Sequence, residues 1–269
     1  MPGRASILFV LLVVTTGAVL AQPAATRSPF ELGKAAMDAH DPAAAIAHFE
    51  QADSKAARAW LAAALMMESR SPSDHYVERA FDAAARARTD QPSSVRPRAA
   101  LATSLRAGDL VVTFLVGESH AYGWAFDREH LIGYPLPPAA EIATAVARVN
   151  AYAAQNDRAG MQRIADNLLP AILGPVFDRI PALTRVIFVM DGPLRQLSIG
   201  ELPIGQDAAT LAQRLAVSVV EDDALFDEIA RTPPPPKPAA PWPLIAVLAV
   251  TAAVVAVSLL RRRRSRERS

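Results

Sequence analysis

The sequence predicts an α/β protein with an amino-terminal helical segment, a mixed sheet covered by helices, and one carboxyl-terminal membrane helix. Three observations lead to this prediction. Alanine-rich amphipathic stretches fill residues 30–88. Short apolar runs of strand character alternate with helical patterns between residues 109 and 220. An uninterrupted apolar stretch at residues 242–260 is followed at once by four arginines.

The composition excludes several classes of site. The chain has 269 residues, a net charge of +1 and no cysteine. Without thiols there is no disulfide, no thiolate metal site, no lipoprotein anchor and no cysteine nucleophile. A charge near zero provides no general basic field for nucleic acid. The sequence also lacks a P-loop and a G-x-G-x-x-G motif, so nucleotide binding has no sequence support, and we predict no cofactor.

The amino terminus has the pattern of a secretory signal peptide over residues 1–21. Arg4 supplies the positive charge, and the apolar run Ile7 to Val14 follows it. Val19 and Ala21 occupy the positions that precede cleavage. The alternative is an uncleaved signal anchor. Either way, the following chain is expected outside the cytoplasm.

The carboxyl-terminal region predicts a single membrane span. At about 1.5 Å per residue, residues 242–260 can cross a hydrocarbon core of about 30 Å. The basic tail, residues 261–269, marks the cytoplasmic side of the membrane. The alternative of a buried core helix does not explain the arginines. Residues 231–241 form a proline-rich linker that favours an extended spacer between the globular part and the bilayer.

Residues 28–90 form the predicted helical segment, in which Asp41 and Pro42 separate two runs. Asp41 can cap the second run, and Pro42 suits its first position. The spacing of small and aromatic residues resembles one TPR unit, a helix pair in which small side chains allow close approach. The matching positions are Leu32, Gly33, Ala45, Phe49 and Ala52. A second helix pair follows with a weaker match.

Two roles for this TPR-like segment remain open. It can bind a protein partner through an exposed face that includes Lys34, Asp38, His48 and Gln51. Alternatively, its helices cover one side of the following domain. The sequence does not choose between these alternatives.

Residues 100–230 are predicted to form the α/β domain. Three antiparallel strands come first, with turns at Gly117–Glu118 and Asp127–Arg128. Three helical runs follow, and Pro170 is expected to end or kink the second of them. The apolar positions that define these runs are Ile142, Val146 and Val149, then Met161, Ile164 and Leu168, then Ile172, Val176 and Ile180. Two further strands are predicted at Val186–Met190 and Leu215–Val220.

The stretch Arg185–Pro203 resembles the PDG-x-L-x-x-LPF-x-x-L signature of the CHAT family, caspase-like domains often fused to TPR repeats. The matching residues are Asp191, Gly192, Leu194, Leu197 and Leu202, whereas Met190 and Ser198–Ile199 depart from the pattern. The resemblance covers about residues 105–227 and only the amino-terminal part of such a domain. The family's catalytic His-Gly and Cys motifs have no counterpart, so the resemblance implies a truncated, non-catalytic domain.

Asp191 lies at the end of a predicted buried strand, where open α/β sheets place their clefts. It is therefore either a cleft residue or a residue that only caps the turn. Gly192 is expected to adopt a positive φ.

Gly117–Ala121 approaches the G-x-S-x-G nucleophile elbow, but Ala121 replaces the second glycine and a strand pattern follows. Ser119 is therefore predicted to lie in a hairpin turn. His120 and His130 flank the next strand. They form either half of a metal site, with Glu118 or Asp127 nearby, or a pair of exposed histidines.

The acidic run Glu221–Asp223 is the last candidate site, and it either binds a divalent cation or forms a solvated turn. We assign no catalytic, cofactor or metal residue from the sequence. The predicted function is that of a membrane-anchored extracytoplasmic binding or scaffold protein with a protein partner. The alternatives are a hydrolase that uses Ser119 and a single-pass ligand sensor.

Overall fold

A computed structural model describes residues 27–205 and 209–231. The predicted signal peptide, membrane helix and basic tail lie outside these residues, as does the proline-rich linker beyond Arg231. Within the described part, no helix is long and apolar enough to cross a membrane.

The described chain forms a five-stranded mixed sheet with helices on both faces, which confirms the predicted α/β class. Five helices come first: α1 (Pro29–Asp38), α2 (Pro42–Phe49), α3 (Lys55–Glu68), α4 (His75–Arg88) and α5 (Arg98–Ala102). The strands are β1 (Asp109–Val116), β2 (Ala121–Phe126), β3 (Leu131–Pro135), β4 (Arg185–Val189) and β5 (Ala216–Val220). Between β3 and β4 lie α6 (Ala139–Ala154) and α7 (Arg158–Leu173), and α8 (Leu211–Arg214) and α9 (Leu225–Ala230) flank β5.

The strand order is β3-β2-β1-β4-β5. The first three strands are antiparallel neighbours, whereas β4 and β5 run parallel to β1. The carboxyl ends of β1, β4 and β5 therefore lie at the same end of the sheet.

Local sequence signals set the helix boundaries. Ser28 and Glu31 form a capping box at the start of α1. The Asp41 side chain accepts a hydrogen bond from the Ala44 N–H at 3.0 Å, and Pro42 is the first residue of α2, as predicted. In contrast, α7 continues through Pro170 to Leu173, and a 3₁₀ segment (Gly174–Ala182) replaces the third predicted helical run.

Two apolar cores fill the space above and below the sheet. One core joins α6, α7 and the 3₁₀ segment to sheet residues such as Phe114 and Phe188. The other joins α1–α4 and α9 to the opposite face, where Trp124 is fully buried. The amino-terminal helices therefore cover the sheet, in agreement with one of the two alternatives for this segment.

The helical cover is also attached to the sheet by polar contacts. The Gly133 N–H on edge strand β3 donates to the Pro72 carbonyl in the α3–α4 loop at 2.8 Å. At the end of α4, the Arg88 guanidinium binds both carboxylate oxygens of Asp222 at 2.7 and 2.8 Å. A third bond runs from Arg88 Nη1 to the Phe114 carbonyl at 2.9 Å. Because the Asp222 side chain is only 7% exposed, neither the cation-site nor the solvated-turn interpretation of this residue is correct.

A second buried arginine, Arg185, anchors the end of the described chain to the sheet. Arg185 pairs with Asp109 across the amino ends of β4 and β1, and both side chains are inaccessible to solvent. The guanidinium also donates to the carbonyls of Glu228, Ile229 and Arg231, which end α9. The described chain thus ends near the amino ends of β1 and β4, at the end of the sheet opposite to their carboxyl ends.

Candidate functional site

A groove of about 470 Å³ opens at the carboxyl end of β1, between α1, α3 and the β1–β2 turn. We call it the junction groove, because the helical cover and the sheet both contribute to it. Its lining residues are Lys34, Asp38, Ala56, Ala59, Trp60, Ala63, Leu115, Gly117, Glu118, Ser119 and His120. Two sets of residues that the sequence predicted separately meet here: Lys34 and Asp38 from the helical face, and Glu118 to His120 from the turn.

The turn side of the groove is a tight hairpin. The Gly117 N–H donates to the His120 carbonyl at 3.0 Å, so that Glu118 and Ser119 form a two-residue tip. A strand follows the turn, whereas a nucleophile elbow requires a helix after the serine. The prediction that Ser119 lies in a hairpin turn is therefore confirmed.

The helical side of the groove is open because α3 presents small side chains to it. Ala56, Ala59 and Ala63 are spaced by three and four residues, which places them on one face of the helix. Their methyl groups leave free the space that larger side chains would fill. The sequence patterns predicted only a weaker second helix pair there, and this alanine spacing is the signal that could have located the groove.

Trp60 is the central aromatic residue of the groove, and no sequence motif indicated it. The Lys34 ammonium lies 5.5 Å from the centre of the indole ring, within the range of a cation–π contact. The His120 ring meets the same indole edge-on, with 5.0 Å between ring centres. Trp60 thus contacts both a cation from α1 and an imidazole from the turn.

The charges of the groove are mixed. Burial lowers the pKa of His120 below its ordinary value of 6.5, so its imidazole is neutral at pH 7. Lys34 contributes one positive charge, and Asp38 and Glu118 contribute two negative charges. Together with the Ser119 hydroxyl, these groups offer hydrogen-bond donors and acceptors around one aromatic ring.

Asp191 does not line the junction groove, and instead connects the ends of two neighbouring strands. Its carboxylate accepts a hydrogen bond from the Val116 N–H at 2.8 Å, which ties the end of β4 to the end of β1. Gly192 has a φ of +53°, as predicted. A Cβ atom at Gly192 would lie 3.1 Å from the Val116 Cβ, so both conformation and space favour glycine.

The structure separates the two histidines of the proposed metal site. His120 precedes β2 and His130 follows it, so the six residues of that strand, about 20 Å, lie between them. His130 instead contacts Asp127, whose carboxylate also binds Arg179 at 2.6 Å. Burial works to raise the pKa of Asp127, but hydrogen bonds from Arg179 and from the N–H groups of His130 and Glu129 outweigh it and lower the pKa to about 2.

Among residues 27–205 and 209–231, no group of three His, Asp or Glu side chains is arranged to hold a metal ion. Comparison with protein-family models, with curated proteins and with solved structures finds no match to this chain. The resemblances to CHAT domains and to TPR units therefore remain predictions from the sequence.

Proposed function

We propose that this chain is a membrane-anchored extracytoplasmic binding protein that holds a polypeptide partner in the junction groove. The observation that carries the proposal is the convergence of Lys34, Asp38, Glu118 and Ser119 around Trp60 in a groove of about 470 Å³. Binding sites commonly combine an apolar or aromatic surface with a few such polar groups. The predicted signal peptide and membrane span support the extracytoplasmic location.

The chemistry of the groove favours a polypeptide over an anionic ligand. With His120 neutral, the lining carries one positive and two negative charges, which disfavours phosphates and nucleic acids. A peptide backbone offers N–H donors to Asp38 and Glu118 and carbonyl acceptors to Lys34. An apolar side chain of the partner can lie against Trp60 and the alanine face.

The CHAT resemblance supports a binding role in place of catalysis. Caspase-type hydrolysis requires a thiolate beside a histidine base, and this chain contains no cysteine. Activity probes directed at serine hydrolases test the alternative, because Ser119 lines the groove beside His120. We expect no labelling, and labelling that Ser119→Ala abolishes would contradict the proposal.

Charge reversal in the groove tests the binding role. Lys34→Glu and Asp38→Lys alter exposed side chains of α1, so the fold should persist. The control is Arg163→Glu, an equally exposed charge reversal on α7, at the opposite face of the sheet. Cross-linking in native membranes followed by mass spectrometry should identify a partner that both groove variants lose and the control retains. Equal recovery with all three variants would exclude the groove as the binding site.

Reporter fusions test the predicted topology. A reporter after Ser269 should lie in the cytoplasm, and one in the linker at residues 232–241 should lie outside it. Cleavage of a carboxyl-terminal tag by protease added to intact cells would contradict this arrangement.

A further inference from the structure

A second groove, of about 710 Å³, lies in the helical cover between α2, α3, α4 and the 3₁₀ turn Pro92–Ser94. It shares no lining residue with the junction groove, because Arg58, Leu61 and Leu65 lie on a different face of α3 from the alanines. We call it the arginine groove. Its charged lining residues are Arg58, Arg79, Arg86, Glu50, Asp53 and Asp82.

Arg58 has a hydrogen-bond donor in this groove that the described chain does not satisfy. The side chain is only 22% exposed, and its Nη1 donates to the Asp53 carboxylate at 2.9 Å. Its Nε–H is buried and meets no acceptor among the described residues. A buried donor without an acceptor reduces stability, so native proteins nearly always provide one. The buried Nε of Arg58 therefore indicates an acceptor from outside the described chain.

The two buried arginines of the described chain show which acceptor fits this donor. Arg88 and Arg185 each bind a carboxylate through the same two nitrogens, Nε and Nη2. The planar guanidinium matches a planar carboxylate in this arrangement, because two parallel N–H···O bonds form at once. Arg58 makes no such two-bond pair, since it contacts Asp53 through Nη1 alone. A carboxylate at Nε and Nη2 would give Arg58 the same arrangement as the other two.

The carboxylates already in the groove leave room for one more. The Asp53 side chain is 97% exposed, and an ion pair with so exposed a partner contributes little to stability. A ligand carboxylate can therefore take the place of Asp53 on Arg58. Glu50 is paired with Arg79. The Arg86 guanidinium forms no ion pair and no hydrogen bond among the described residues, so it adds a positive charge that can attract an acidic ligand.

Asp82 is the third acidic residue of the groove, and it differs from an ordinary exposed aspartate. Its Oδ1 atom is buried and receives no hydrogen bond within the described part of the chain. Burial raises the pKa of Asp82 above its ordinary value of 3.8, although the positive charge of Arg86 works against this effect. Because a protonated carboxyl group can donate a hydrogen bond, Asp82 opposes an acidic ligand less than an exposed aspartate would.

We propose that the arginine groove binds a carboxylate joined to an apolar group, and that Arg58 holds this carboxylate through Nε and Nη2 in place of Asp53. Arg86 contributes further positive charge, and the apolar group of the ligand lies against Leu61 and Leu65. Both a free organic acid and the carboxyl end of a polypeptide have this chemistry. The site is separate from the junction groove and does not depend on the partner proposed there.

Titration of the full-length chain in mild detergent, followed by saturation-transfer NMR, tests the class of ligand. N-acetyl-leucine carries a carboxylate beside an apolar side chain, and N-acetyl-leucinamide is its uncharged counterpart. The acid should bind with a dissociation constant of about 1 mM, as expected for its size, and the amide at least about tenfold more weakly. Equal binding of the acid and the amide, or no saturable binding of the acid, would overturn the proposal.

A short peptide identifies the source of the carboxylate. The tetrapeptide Ala-Ala-Ala-Leu with a free carboxyl end presents the same terminal group as N-acetyl-leucine. Binding at least about tenfold tighter than that of N-acetyl-leucine would support the site as one for polypeptide ends, because the additional residues then contribute contacts. A smaller difference would support it as a site for free organic acids.

Substitutions at Arg58 and Asp53 test the residues of the site. Arg58→Lys keeps the charge but loses the two parallel donors, so it should weaken the binding of N-acetyl-leucine at least about tenfold. Asp53→Asn removes the competing carboxylate and should tighten binding about threefold or more, with little change in melting temperature. Lys34→Glu, in the junction groove, is the control and should leave this binding unchanged. Unaltered affinity in a folded Arg58→Lys chain, or no tighter binding by Asp53→Asn, would overturn the proposal.

Discussion

Replacement of Arg88 by alanine should test whether the helical cover is an integral part of the fold. Arg88 ends α4, and its guanidinium makes three hydrogen bonds, two to Asp222 and one to the Phe114 carbonyl. The side chain is 1% exposed. The substitution leaves the Asp222 carboxylate buried without its counterion, which typically costs about 3–5 kcal/mol of unfolding free energy.

The expected change in thermal stability follows from the size of the fold. For a domain of about 200 residues, 1 kcal/mol corresponds to a shift of about 2–4 °C in melting temperature. Arg88→Ala should therefore lower the midpoint of thermal unfolding by about 6–20 °C, as followed by circular dichroism of the purified chain. Asp222→Ala should have a similar effect, and the double variant should lose less than the sum of the two single losses.

The matched control is Arg79→Ala on the same helix. Arg79 pairs with Glu50, but both side chains are nearly half exposed, so this pair should contribute about 0–1 kcal/mol. An Arg88→Ala loss no larger than the Arg79→Ala loss would refute the reasoning. It would mean that Arg88 does not fix α4 to β1 and to the turn that follows β5.

Three further predictions concern the sheet and its turns. Trp124→Ala should reduce the unfolding free energy in a denaturant titration by about 3–5 kcal/mol, because it empties a fully buried site. Gly192→Val should lower the melting temperature, whereas Gly192→Asn, which tolerates a positive φ better, should lower it less. Because the folded pKa of Asp127 is about 2, below its ordinary value of 3.8, its carboxylate should stabilise the fold above about pH 4. That contribution should disappear as the pH falls towards 2, and Asp127→Asn should remove this part of the pH dependence of unfolding.

Much of the fold could be predicted from local patterns. The five strands, the cap at Asp41 and the positive φ at Gly192 each follow from a few neighbouring residues. The 3₁₀ segment at Gly174–Ala182 could not be predicted in this way, because its apolar positions fit a helical period equally well. Two prolines, Pro175 and Pro181, interrupt that segment and favour the shorter turns.

The long-range contacts of the charged residues could not be predicted from the sequence. Asp222 lies in an acidic run that is typical of a solvated turn, yet its partner Arg88 is 134 positions away. Arg185 begins an apolar strand and is fully buried, because Asp109 and three carbonyls at the end of α9 satisfy its guanidinium. No periodicity or spacing indicates such pairs, since they depend on how the strands are ordered in the sheet.

The two roles considered for the helical segment are compatible, because different faces of the same helices serve them. The buried side of α3 and most of α4 belong to the same apolar core as Trp124, while Lys34 on α1 and the alanine face of α3 line the junction groove. Deletion of residues 28–90 would therefore expose the sheet and remove the groove together, and loss of binding would follow under either role. Substitutions confined to Lys34 and Asp38 leave the cover intact, so only they separate a binding surface from a structural one.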